Sequence, residues 1–167
     1  MKHIYNSVLS LVNRFGSRDP KTLLEGLSVV AEESDSFKDL AGFSFYSNRT
    51  YYVILNRNLS EPLKRTILAH ELGHICLHKE ALRLSPIHER DIYNTTSKLE
   101  YEANIFASEL LISDEDIEKE NDFFALAKRL GVPPDLLSFK LLSLKKRGFN
   151  LELPFVPDSV FLKKQGE

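Results

Sequence analysis

The 167-residue sequence predicts an α+β fold, mostly helical, with a small antiparallel sheet packed beside one central helix. Three observations point there. Apolar residues recur at three- and four-residue spacing in the N-terminal, central and C-terminal stretches, the period of a buried helix face. Between the first two stretches lie short runs rich in β-branched and aromatic residues, separated by turn-forming ones. The pentapeptide His-Glu-Leu-Gly-His at 70–74 falls inside the central helical pattern.

Each element follows in chain order. Ile4, Val8, Leu11, Val12 and Phe15 set a helix over 2–15, and Gly16 is its expected stop. Asp19-Pro20 opens a second short helix through Leu27. Strands are expected at 28–32, 41–46 and 51–55, with Ser47-Asn48-Arg49-Thr50 as the turn of a hairpin between the last two. An edge strand beside the central helix could pair with an extended peptide, or could simply be covered or blunted by charge. Ser60 as N-cap, Pro62 in the first turn and Glu61 near the positive end of the dipole start the helix over 60–78. Leu63, Ile67, Leu68, Leu72, Ile75 and Cys76 cover much of its circumference, which marks an internal helix. Residues 80–96 read as a long connection, and a further helix begins near Ser97. Residues 122–147 read as two helices joined at Gly131-Val132-Pro133-Pro134. The resulting division is a core over 1–121, a helical pair over 122–147 packed on that core, and an extended tail over 148–167.

The pentapeptide has a specific chemical meaning. Residues four apart share one helix face, so His70 and His74 can close on a single metal ion. Glu71 lies about 100° round the helix and is free to reach a water on that metal. This is the arrangement of a zinc hydrolase with glutamate as general base.

Catalytic zinc usually takes three protein ligands and keeps one position open. The helix from Ser97 offers Glu100, Glu102 and Glu109 as the third. Glu100, Ala103, Asn104, Ala107 and Leu111 share a face, and its two alanines would let the histidine helix approach closely. Glu102 points about 200° away. Glu100 is therefore the expected ligand and Glu102 the fallback. A second reading of Glu100 stands beside this one: Ser97 with Glu100 three residues on is also a capping-box pattern. Asn104 either orients a ligand or is a satisfied polar group at a helix contact. His88 and Tyr93, in the long connection, are candidates to donate to the oxyanion, against the reading of that segment as a solvated linker. His78 is expected to cap the helix C-terminus rather than share the metal. Cys76 lies about 200° from His74 and reads as a buried thiol.

These motifs resemble those of the ImmA/IrrE metallopeptidases. HELGHICLH at 70–78, followed by the ExxANxFAxxLL pattern from Glu100 to Leu111, is similar to the two separated signatures of that family, in the same order. Residues 5–16 are also similar to members from mobile elements of Gram-positive bacteria. The resemblance covers roughly residues 1–145. It implies a zincin-like metallopeptidase domain acting as a cytoplasmic, zinc-dependent, site-specific endopeptidase. His70, His74 and Glu100 would be the Zn2+ ligands and Glu71 the base. It further implies an antirepressor that cleaves a helix-turn-helix transcriptional repressor of a prophage or integrative element. One departure is visible: many members have Pro soon after the Leu-Leu pair, where this chain has Ile112-Ser113-Asp114.

Composition narrows the alternatives. The formal net charge of −2 gives no global attraction to nucleic acid or anionic lipid. A single cysteine excludes an internal disulfide and suits a reducing cytoplasm. No apolar run approaches ~20 residues, the length that spans a bilayer. Two non-enzymatic readings remain open from sequence. One is a module that binds a repressor without cutting it. The other is a DNA-binding regulator using the helix-turn-helix-like 122–147 segment with its Lys145-Lys146-Arg147 end.

Overall fold

The computed structural model describes residues 1–37, 40–84, 96–117 and 122–151, except for the side chains of 96 and 97. Helix α1 (Lys2–Phe15) ends at Gly16, whose φ of 66° is the left-handed cap the sequence called for. Helix α2 (Pro20–Gly26) is capped by the Asp19 carboxylate, which accepts the Thr22 N–H at 2.9 Å. Strands β1 (Val30–Ser34), β2 (Gly42–Ser47) and β3 (Thr50–Asn56) follow. The β2–β3 hairpin closes through Asn48 and Arg49, both with positive φ (48° and 65°), the two-residue turn whose twist matches antiparallel strands.

The sheet is mixed, which corrects the expectation of an antiparallel one. Its order is β1-β3-β2, and β1 pairs parallel to β3. The hairpin is antiparallel as expected. The difference arises because β1 joins the far side of β3 instead of extending the meander from β2. The backbone ladder to β3 carries this pairing, and ion pairs accompany it: Lys64 reaches the Glu33 carboxylate at 3.0 Å, and Arg57 reaches Asp35 at 2.8 Å. Strand propensity carries no information about which edge such a run will choose. β1 also starts two residues later than expected. The left-handed backbone at Ser28 (φ 57°) and the Val29 N–H to Leu24 carbonyl bond finish α2 before the strand begins.

Helix α3 (Glu61–Leu77) runs beneath the sheet, and ten of its residues are buried. A short helix α4 (Lys79–Leu84) occupies the start of what reads as an unbroken connection, with Leu82 buried beneath it. Helix α5 (Thr96–Leu111) packs along α3 and is covered on its other side by α8 (Pro134–Lys146). A one-turn helix α6 (Asp114–Ile117) and helix α7 (Phe123–Leu130) lead into α8. Asp122 caps α7 through the Ala125 N–H at 2.7 Å, and Gly131 (φ 64°) ends it.

The α5–α8 contact contains a buried polar knot. Lys140 and Glu109, each 1% exposed at the side chain, form an ion pair, and the Ser143 hydroxyl donates to the same carboxylate. Asp114 accepts from Lys140 at 2.6 Å and from Arg147 at 2.7 Å. Arg18, in the loop before α2, donates to the Glu109 and Leu110 carbonyls and so satisfies the C-terminal end of α5. No helix among the described residues is long and apolar enough to cross a membrane.

Candidate metal centre

The site depends on how closely α3 and α5 approach. At the crossing, a Cβ built on Gly73 would lie 3.1 Å from both the Ala103 Cα and the Phe106 Cβ, and 3.2 Å from the Ala103 carbonyl oxygen. Glycine facing alanine brings the two backbones almost into contact, as the small-residue face of α5 led us to expect.

Beside that contact, three side chains converge. His70 Nε2 and His74 Nε2 are 3.1 Å apart. Glu100 places Oε2 at 3.2 Å from His70 Nε2 and Oε1 at 3.5 Å from His74 Nε2. All three residues are buried, and one ligand atom from each lies within 4.8 Å of the others. Two imidazole nitrogens held tetrahedrally by zinc stand about 3.3 Å apart. The two histidine nitrogens, 3.1 Å apart, already stand at close to that separation.

The far side of each ring is engaged. His70 Nδ1 is 2.8 Å from Asn104 Oδ1, which fixes the ring and leaves Nε2 facing the centre. Asn104 is 0% exposed and sits one helical turn beyond Glu100, so α5 supplies both a carboxylate to the centre and a ring-orienting acceptor. His74 Nδ1 is 3.1 Å from His78 Nδ1, and His78 Nε2 is 3.1 Å from a Glu102 carboxylate oxygen. Glu102, the alternative third ligand, is thus placed against His78, while Glu100 meets the histidine pair.

The electrostatics follow from burial and pairing. Burial raises the Glu100 carboxyl, but hydrogen bonds and charge from His70 and His74 prevail and hold it well below the usual carboxylate range. Burial works against the His70 imidazolium, yet Glu100 above all, with Glu71 and Asn104, raises its pKa. Burial dominates at His78 and lowers its pKa despite Glu102. The Cys76 thiol is pushed up to about 11 by burial, which makes it an inert neighbour.

Glu71 is 6% exposed, and its carboxylate takes no hydrogen bond among the described residues. It directly follows His70 on α3, and its charge helps raise the His70 pKa. His88 and Tyr93 lie outside the described residues, as does the Ser97 side chain of the capping-box reading. A cleft of about 540 Å³ opens between α2, β1 and the N-terminal half of α3, and none of the three converging residues lines it.

Sequence reasoning missed the second half of this arrangement. His78 does cap α3, its N–H bonding the His74 carbonyl at 2.8 Å, but its ring is also buried and joined to His74. The 70, 74, 78 spacing carried that signal. Glu102 carried none, because its offset of about 200° from Glu100 round the helix gave no indication that it meets His78.

Residues 26–142 match the model of the IrrE N-terminal-like domain, a peptidase family. The chain is 31% identical over 141 residues to the "Uncharacterized immunity region protein 2" of Bacillus phage phi105, covering 82% of this chain and 88% of that protein. It is 29% identical over 97 residues to "Metallopeptidase ImmA" of Bacillus subtilis strain 168, covering 54% of this chain and 55% of that protein. The chain belongs to the ImmA/IrrE metallopeptidase family.

Proposed function

We propose that this protein is a zinc-dependent endopeptidase that cuts a helix-turn-helix transcriptional repressor, and so serves as the antirepressor of a prophage or integrative element. The observation that carries the reading is the buried convergence of His70, His74 and Glu100 from two helices, with the buried Glu71 next to His70 on α3. The donor set is two imidazoles and one carboxylate, which suits Zn2+. A phage relative named for an immunity region supports a repressor as the substrate.

His70, His74 and Glu100 would hold the ion. When bound, the ion supplies Lewis-acid polarisation of a carbonyl and acidification of a water. Glu71 accepts the proton of the attacking water and passes it to the leaving amide nitrogen, so that one water is consumed and two chain ends are released. Asn104 keeps the His70 ring aimed at the centre throughout.

Incubating the protein with a candidate helix-turn-helix repressor, in the presence of zinc, should yield two fragments on a gel. Glu71→Gln should abolish the fragments and retain stoichiometric zinc. An intact repressor in stable complex with the parent protein would instead favour a binding module. The DNA-binding reading of 122–147 is disfavoured by the burial of α8: Leu136, Leu137, Phe139, Lys140, Leu141 and Leu144 all face the interior, leaving no recognition face along most of the helix.

A further inference from the structure

We propose that Glu102, acting through His78, is a positioning residue that fixes the proton arrangement of His74 and so keeps its Nε2 available to a metal. This deepens the proposed metal-dependent reading and rests on it. The argument begins with a constraint on hydrogen positions. His74 Nδ1 and His78 Nδ1 face each other at 3.1 Å, so one carries the proton and the other accepts. If His78 carried it, His74 would hold its own proton on Nε2, against His70 and Glu100, where no metal could then bind.

Glu102 decides between the two arrangements. An ionised carboxylate only accepts, and it lies 3.1 Å from His78 Nε2. A bare nitrogen at that distance would set lone pair against lone pair. The proton must therefore sit on His78 Nε2 and be donated to Glu102. His78 Nδ1 is then bare and accepts from His74 Nδ1–H, which leaves no proton of the neutral ring on His74 Nε2; its lone pair and that of His70 Nε2, 3.1 Å away, can then share the triangle with the Glu100 carboxylate only across a cation, the role the metal would fill. The 2.8 Å bond from His70 Nδ1 to Asn104 Oδ1 imposes the same outcome on the other ring in a single link. Both acceptors belong to α5, so this helix supplies Glu100 to the centre and also orders the protons of the two histidines on α3.

The environment suits such a relay. His78 is 7% exposed, and water has little access to compete for its ring nitrogens. Its ring lies 5.2 Å from that of His74, one helical turn along the same face. Partners of this kind behind a ligand typically change metal affinity 10- to 100-fold.

The test uses the full chain, zinc alone, and a chromophoric chelator in competition. Glu102→Ala and His78→Phe should each weaken zinc binding 10- to 100-fold, and the double variant should be no weaker than the poorer single one. His78→Asn places an amide oxygen near the position of Nδ1; it should restore affinity to within a few-fold and make it indifferent to Glu102→Ala. Long-range proton–nitrogen spectra of the metal-free protein, which has five histidines, should show His78 protonated at Nε2 in the parent and displaced from that form in Glu102→Ala. Zinc affinities within twofold of the parent, losses that multiply in the double variant, or a His78 protonated at Nδ1 in the parent would each overturn the inference. A parent that binds no zinc would sink the metalloenzyme reading as well, whereas a tight-binding parent with unaffected variants would sink this inference alone.

Discussion

Gly73→Ala tests the close approach on which the site is built. The added methyl would meet two backbone atoms of Ala103 and the Phe106 Cβ at 3.1–3.2 Å. None of these is the flexible end of a side chain, and Ala103 and Phe106 are both 0% exposed. Relief therefore requires α3 and α5 to separate by roughly 0.3–0.5 Å, toward ordinary carbon–carbon contact. Two terms oppose each other. Alanine gains about 1 kcal/mol over glycine inside a helix, and overpacking a tight interior costs about 1–3 kcal/mol. The net expectation is a destabilisation of roughly 0–2 kcal/mol, a melting temperature unchanged or lower by a few degrees. The effect on the site is larger than the effect on stability. Glu100 lies one turn from Ala103 and must meet His70 and His74 across the same gap, while metal–ligand distances tolerate only about ±0.2 Å. Zinc affinity should fall at least tenfold, measured by chelator competition beside a thermal melt. A variant about 1 kcal/mol more stable than the parent, with zinc affinity intact, would refute the reasoning, because it would mean that the helices have room to spare at the crossing.

Other outcomes are expected. Glu100→Ala should leave the protein without stoichiometric zinc after gel filtration, and one retained equivalent would show that another group completes the site. Lys140→Met should cost about 3 kcal/mol in urea unfolding, because the buried Glu109 carboxylate loses its main cation; adding Glu109→Leu should recover much of the loss, and equal stability of parent and single variant would contradict the assignment. Burial raises the Asp114 carboxyl, but hydrogen bonds and charge from Arg147 and Lys140 outweigh it and hold it below its ordinary 3.8. The unfolded chain then binds that proton first, so the stabilisation is present above about pH 4 and is lost as acid carries the pH down through the folded-state value. The melting-temperature gap between parent and Asp114→Asn should therefore close on acidification from pH 7 to pH 3, and a constant gap would count against it.

The elements that define the site could be read from sequence because their signals are local. Gly16 and Asp19 punctuate α1 and α2, Asn48-Arg49 accommodates the hairpin turn, and the four-residue spacing of His70 and His74 holds in any helix. Glu100 could be chosen over Glu102 because Ala103 and Ala107 mark which face of α5 can approach another backbone. The strand order could not be read this way. β1 lies beside β3 through a backbone ladder, with Lys64 and Arg57 reaching Glu33 and Asp35 alongside it, all contacts between segments distant in sequence. The pairing of His78 with Glu102 was hidden for a related reason: spacing within α5 does not tell which residue of α3 lies opposite it. The Lys140–Glu109 knot was equally hidden, since a lysine in an amphipathic helix normally reads as solvated.

Because His70 and Glu100 sit on separate helices, an ion held between them would also clasp the chain. A tie enclosing about 30 residues removes conformational freedom from the unfolded state worth roughly 3–4 kcal/mol by the loop-closure estimate used for cross-links. Unlike a disulfide, this clasp opens whenever the ion leaves, and its strength rises with the free ion concentration. Metal scarcity in the surroundings would thus silence the protein twice over: the reagent departs, and the α3–α5 pair that presents it loses its fastening.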